Sequence, residues 1–294
     1  MTLRNITCAV TLCLLTLSGQ AVGKTEVPPY KNKSLSIEKR VDDLMGRMTL
    51  REKVLQLQNR GAGRLDEIDR IFNGESYGCT HEMGTTAAEC AAMYKELQQY
   101  MLTKTRLGIP IITSAEGIQG ILQNNCTLFP HALAQGSTFN PALIQRMTEA
   151  AGEEAKVIGI HQILSPVLDI ARELRWGRVE ETFGEDPFLV GQMGAATVRG
   201  LQTSDFTGQD KVLACTKHFI GGSQPVNGIN GAPCDISDRT LHEVFMPPFK
   251  DCLDAGTYTF MMAHNELNGV PCHTSKYLMK DILRDAWKFN GFIV

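Results

Sequence analysis

Apolar positions along the chain follow two alternating patterns. Ile37, Val41, Leu44, Met45 and Met48 recur at spacings of three and four, which predicts a helix over 36–58 with a second start inside it. That start is Thr49-Leu50-Arg51-Glu52, a capping-box order in which threonine and glutamate satisfy each other's free backbone N–H groups. Helical spacing returns over 86–104, 141–158, 187–201, 238–255 and 275–287. Asn140 before Pro141 marks one helix entry, a capping side chain followed by a ring preset to helical φ. Glu185-Asp186-Pro187 is another, with carboxylates placed where the helix dipole favours them. Between these helices lie short apolar runs at 109–113, 162–169, 212–219, 258–263 and 291–294. Strands that are apolar without alternation are buried on both faces, as in a parallel sheet covered by helices.

Polar and charged residues gather where the apolar runs end: Glu116, Asp169, Lys217, His218 and His264. A (β/α)8 barrel puts its chemistry on the loops at the C-terminal ends of its strands. A doubly wound sheet would use a glycine-rich phosphate loop, and neither G-x-G-x-x-G nor G-x-x-x-x-G-K-[ST] occurs. The expected fold is therefore α/β, a TIM-type (β/α)8 barrel. Five or six candidate strands against eight make it incomplete at the C-terminus.

Charge and cysteine content narrow the function classes. With 29 basic and 32 acidic residues, a net charge of −3 and 43% hydrophobic residues, the chain is neither disordered nor a polybasic nucleic-acid arm. Arg4, an uncharged run from Ile6 to Leu17 and the small residues of Ala21-Val22-Gly23 have the order of a secretory signal peptide. The expected division is a signal over 1–23 and one domain over 24–294, in a secreted or periplasmic protein. The apolar run falls short of the roughly 20 residues needed to span a bilayer, so no membrane span is expected. Seven cysteines follow the signal, an odd number without a C-x-x-C pair, and the histidines lack H-x-x-x-H spacing. Neither a metal nor a cofactor is expected. The cysteines read as small core residues, with Cys79 and Cys90 near enough in sequence for a loop disulfide.

Five stretches carry the chemistry. They are Arg106 to Pro110 leading to Glu116-Gly117-Ile118-Gln119-Gly120, the charged run Leu168 to Pro187, Lys217-His218-Phe219, Met261 to Gly269, and Trp287 to Val294. In the second, arginine and carboxylate forks are dense enough to pair with each other while one or two face a polar ligand. Adjacent residues on a strand point to opposite faces, so Lys217 and His218 share a ligand only where the strand is irregular.

In this order the stretches resemble the N-terminal domain of glycoside hydrolase family 3, over roughly Ser36 to Val294: R-W-G-R-x-E-E-T-F-G-E-D-P, K-H-F, N-x-L-N-G-V-P and W-x-F-x-G-F. The resemblance implies a barrel that binds the non-reducing terminal sugar of β-glucosides, β-xylosides and related glycosides. It implies retaining hydrolysis through an Asp nucleophile, with the acid/base residue from a later part of the chain, commonly a second domain. Glu116, Arg178, Lys217 and His218 fall on positions that hold sugar hydroxyls. His264 falls where a tyrosine near the nucleophile is common. Gln119 replaces a frequent histidine and Glu173-Leu174 a frequent Asp-Pro, which alters the pocket rim.

The nucleophile of the family follows G-F-[IV]-V by two residues, so it is expected just after Val294. No catalytic residue is then assigned within the chain, which alone should be inactive and should lack the end of the barrel and a second domain. Glu in place of the usual Asp at position 116 takes up room beside the sugar. A β-xylosidase therefore stands as an alternative to a β-glucosidase, as does a non-catalytic sugar-binding barrel.

Overall fold

A computed structural model of the chain describes residues 27–81, 86–202 and 211–294; the expected signal over 1–23 lies outside them. The chain divides after Met48 into two compact units. In the first, helix α1 (Ile37–Arg47) is capped by Ser36, whose hydroxyl accepts the Lys39 N–H. The preceding turn is tied to α1 by Asp43, which accepts the Tyr30 N–H at 3.1 Å. The apolar residues Ile37, Val41 and Met45 lie exposed on α1.

The second unit opens with α2 (Leu50–Leu55), closed by the Thr49–Glu52 capping box. The helix expected over 36–58 is thus two helices. Thr49 spends its side chain on the Glu52 N–H of a new first turn instead of continuing the old one. After α3 (Ile68–Phe72) comes a parallel sheet in which helices alternate with strands: β1 (Cys79–His81), α4 (Ala87–Lys104), β2 (Ile112–Ala115), α5 (Ala132–Gly136), α6 (Pro141–Ile158) and β3 (Gln162–Ile163). Next follow α7 (Pro187–Leu201), β4 (Leu213–Phe219), α8 (Asp238–Thr240), α9 (Met246–Asp254) and β5 (Thr259–Met262). A hairpin of β6 (Glu266–Leu267) and β7 (Val270–Pro271) precedes β8 (Phe292–Ile293).

The six parallel strands are ordered β1-β2-β3-β4-β5-β8. Neighbours in sequence are neighbours in space, and helices cover the sheet. This is the curled sheet of a TIM-type (β/α)8 barrel, with six of the eight strands among the described residues.

Further elements differ from the periodic pattern, among them the helix expected over 275–287, which is π-helical over Tyr277–Ala286. The 162–169 run pairs as a strand only over Gln162–Ile163, yet continues beside β4 through Cys215 N–H to Ser165 O (3.0 Å) and Leu168 N–H to Lys217 O (2.6 Å). The helix over 238–255 contains a π-helical stretch, Leu241–Phe245, between α8 and α9. Pro247 and Pro248 lack the N–H groups that α-helical spacing needs there.

An aromatic cluster lies against β4 and β5. Phe219 meets Phe249, Phe260 and Trp287 edge-on at centroid distances of 5.0, 5.7 and 5.8 Å, and Phe260 meets Phe289 at 4.8 Å. Such pairs add about 0.5–1.5 kcal/mol each beyond their buried area, so the strand that ends in Lys217-His218-Phe219 is firmly seated. Cys79, Cys90 and the other five described cysteines are free thiols, five of them buried.

Candidate functional site

The C-terminal ends of β2, β3, β4 and β5 converge on a charged cluster. Glu116 directly follows β2, and its Oε2 accepts from the Lys217 Nζ of β4 at 2.7 Å. Lys217 is 2% exposed while the Glu116 side chain is one-third exposed, so one partner is buried and the other keeps a face to water. His218 turns to Asp169: its Nδ1 lies 2.8 Å and its backbone N 3.2 Å from Asp169 Oδ2. Two adjacent residues of one strand serve one site because the pairing of β4 with β5 shifts register between Thr216 and Phe219. The Lys217–His218 peptide bond is cis.

Arg178 joins this cluster from the charged loop between β3 and α7. It forks onto Glu181 with two bonds of 2.7 Å, and its NH2 lies 3.3 Å from His218 Nε2. The bond to Glu181, then the charges of Asp169 and Glu116, outweigh its burial and raise its pKa above the ordinary arginine value. Elsewhere in the loop one further pair of charges closes on itself. Glu173 forks onto Arg175, whose bond holds the Glu173 carboxyl at about 2. Asp186 caps α7 by accepting the N–H groups of Phe188 and Leu189, which settles Glu185-Asp186-Pro187 as a helix start.

Beside the cluster opens a cleft of about 270 Å³ lined by Asp169, Arg178, His218, His264, Trp176 and Asn230, among others. Gly222 forms part of the wall. A Cβ there would sit 3.2 Å from Asn265 Oδ1 and 3.8 Å from Asp169 Oδ1, filling the space between them. His264 stands at the rim with its Nδ1 3.2 Å from His273 Nε2. Partial burial, then His273, His218 and Arg178, lower its pKa below the ordinary histidine value.

Of the residues singled out in the sequence, Arg178, His218 and His264 line the cleft, whereas the Glu116–Lys217 pair lies outside its lining. Asp169 was seen only as a strand-end acid, yet it orients His218. Its signal was being the one acid at the close of an otherwise apolar run. Trp176 lay within the quoted R-W-G-R motif, but Asn230 and His273 had no such signal, because their partners lie 54 and 9 residues away. Among the described residues no group of three or more His, Cys, Asp or Glu is placed to hold a metal ion, and no helix is long and apolar enough to cross a membrane.

The chain is similar to known proteins in sequence and fold. Residues 49–294 match the glycosyl hydrolase family 3 N terminal domain. A beta-xylosidase of Formosa agariphila is 42% identical over 211 residues, covering 68% of this chain and 29% of that protein. A periplasmic beta-glucosidase of Salmonella typhimurium is 31% identical over 254 residues, covering 86% and 32%. Among solved structures, the β-glucosidase EmGH1 of Erythrobacter marinus superposes with a TM-score of 0.79 at 32% identity, over 90% of this chain and 37% of that one. The β-glucosidase of Listeria innocua in complex with glucose does so with 0.78 at 29%, over 87% and 37%. The chain spans about a third of the length of these relatives. A domain match over most of the chain, together with the shared sheet, shows that it belongs to glycosyl hydrolase family 3.

Proposed function

We propose that this chain carries the subsite for the terminal non-reducing sugar of a β-linked glycoside, in a retaining hydrolase of β-glucosidase type. The observation that carries this is the continuous line Asp169–His218–Arg178–Glu181, whose first three members line one cleft, with the Glu116–Lys217 pair beside it. Sugar hydroxyls are neutral donors and acceptors, and charged partners bind them about twice as strongly as neutral ones. Bonds to the ring that tighten in an oxocarbenium-like transition state contribute several kcal/mol more.

A retaining mechanism also needs a nucleophile and an acid/base, two carboxyl groups about 5–5.5 Å apart. Asp169 is committed to His218 and Glu181 to Arg178, so neither is assigned that role. The relatives are about three times longer, and we assign both catalytic carboxylates to positions outside residues 1–294. The order of Arg4, the apolar run and Ala21-Val22-Gly23 supports export as part of the proposal; N-terminal sequencing of the mature protein should then begin near Lys24.

A β-xyloside substrate is the second reading, favoured by Glu116. Its side chain is one methylene longer than the usual Asp, and a pentose lacks the exocyclic group that would compete for that room. A difference of this size is worth about 1–3 kcal/mol, so acceptance of both sugars fits as well. Calorimetric titration of the 294-residue chain with glucose, xylose and isofagomine tests both. Isofagomine is a ligand of the Listeria innocua β-glucosidase. Saturable one-to-one binding is expected without turnover of aryl β-glycosides. Failure to bind any of the three would sink the proposal, and turnover would refute the placement of the catalytic carboxylates.

A further inference from the structure

We infer that Asn230 is a further sugar-binding residue of this cleft, its amide NH2 turned toward the ligand by the indole of Trp176. This rests on the sugar-site proposal above and adds a contact to it.

The orientation follows from chemistry. The Trp176 Nε1–H donates to Asn230 Oδ1 at 2.9 Å. An indole N–H can only donate, so the amide must present its oxygen to Trp176. The NH2 group, with two donors, is then the free arm of the amide on a side chain that lines the cleft. Acceptors on that cleft are what a sugar brings in number, since each hydroxyl offers two lone pairs.

The orienting group is itself immobile. Trp176 is 3% exposed, and the Arg178 guanidinium lies 5.6 Å from the centre of its ring. The loop bearing Asn230 is closed at its base by Val226 N–H to Pro233 O and by Ala232 N–H to Ile229 O, both 2.9 Å. It also lies against the turn that carries Trp176. Gly228 has φ +73°, and a Cβ there would stand 2.5 Å from Arg175 Cβ and 3.1–3.2 Å from the Arg175 backbone, so a glycine is required for the approach. Two contacts, Gly228 on Arg175 and Asn230 on Trp176, therefore hold the amide in place before any ligand arrives. A donor fixed in advance loses little freedom on binding.

The test is calorimetric titration of variants of the 294-residue chain with glucose and xylose. Asn230→Asp keeps the shape and replaces both donors with acceptors; affinity is expected to fall about tenfold for at least one sugar, and about three- to tenfold in Asn230→Ala. Trp176→Phe keeps a smaller aromatic ring and removes the N–H, so the amide can turn over. A loss of roughly two- to fivefold is expected, with no additional loss in the Asn230→Ala background. A merely structural Trp176 would weaken both backgrounds alike, which would refute its role in orienting the amide. Equal losses for both sugars place the contact on a ring hydroxyl, and a loss for glucose alone places it on the exocyclic hydroxyl that xylose lacks. Unchanged affinity in both Asn230 variants overturns the inference and leaves the sugar site standing. Absence of binding by the unmutated chain overturns the sugar site itself.

Discussion

The two halves of the parallel sheet both bury polar side chains, and they use them in opposite ways. Toward the N-terminal ends the groups are neutral and close on one another. Gln162 Nε2 donates to Thr259 Oγ1 at 3.0 Å, which donates to Ala214 O at 2.7 Å, while Thr216 Oγ1 donates to Thr259 O at 3.0 Å. Toward the C-terminal ends the groups are charged, and part of each pair still faces outward: Glu116 is one-third exposed and Arg178 about one-quarter. Neutral groups that consume one another hold strands in register. Charged groups with a face left open keep hydrogen-bonding capacity for a ligand. A barrel separates stability from chemistry along its axis in this way.

Asp169→Asn should have the largest effect and touch only the C-terminal side of that division. Asparagine still accepts from the His218 N–H and Nδ1–H, so the fold should persist. The charge and one acceptor are lost from the cleft wall. A hydrogen bond to a charged group is worth about 1.5–3 kcal/mol, so sugar affinity measured by calorimetry should drop at least about tenfold. Thr259→Val should act the other way round. It removes the acceptor of Gln162 Nε2 and a side-chain hydrogen bond to Ala214 O in a fully buried place, which costs about 1–3 kcal/mol in urea unfolding, with sugar affinity unchanged. If Thr259→Val weakened sugar binding as much as Asp169→Asn, the division between the two ends would not hold.

The same contrast explains what could be read along the chain. Helices with side-chain caps were legible to the residue: Asn140-Pro141 and Asp186-Pro187 begin α6 and α7 where the structure begins them, because a cap is a local event. The charged strand ends were legible too, since charges beside apolar runs stand out. β1 was not, because Cys79-Thr80-His81 has no apolar run and owes its place to pairing with β2. Neither Thr259 nor Gln162 looked unusual, and their roles come from partners 45 and 97 residues away. Asn230 was silent for the same reason. Local patterns show caps and charges, whereas networks closed by distant strands appear only in the fold.

Acidification separates the two ends by a smaller effect. His161 lies just before β3, where its Nδ1 accepts the Thr113 N–H at 3.2 Å and stands 2.8 Å from Thr113 Oγ1. Burial first, then the charge of Lys156, lowers its pKa below 6.5. The unfolded chain then takes up a proton more readily than the native one, so this histidine destabilises the fold as pH falls below 6.5. His264 is shifted in the same direction, but it is largely exposed and its contribution should be weaker. The carboxylates of Glu52 and Glu173, both held at about 2 by arginines, lose their contribution only as pH falls below 4.5 and leave this window clear. Urea unfolding at pH 7.5 and 5.5 should show lower stability at the acid value. His161→Gln should flatten that difference more than His264→Gln does. An equal slope in the unmutated chain and in His161→Gln would show that the N-terminal network tolerates a charge, and the neutrality that distinguishes it from the C-terminal cluster would then carry no weight.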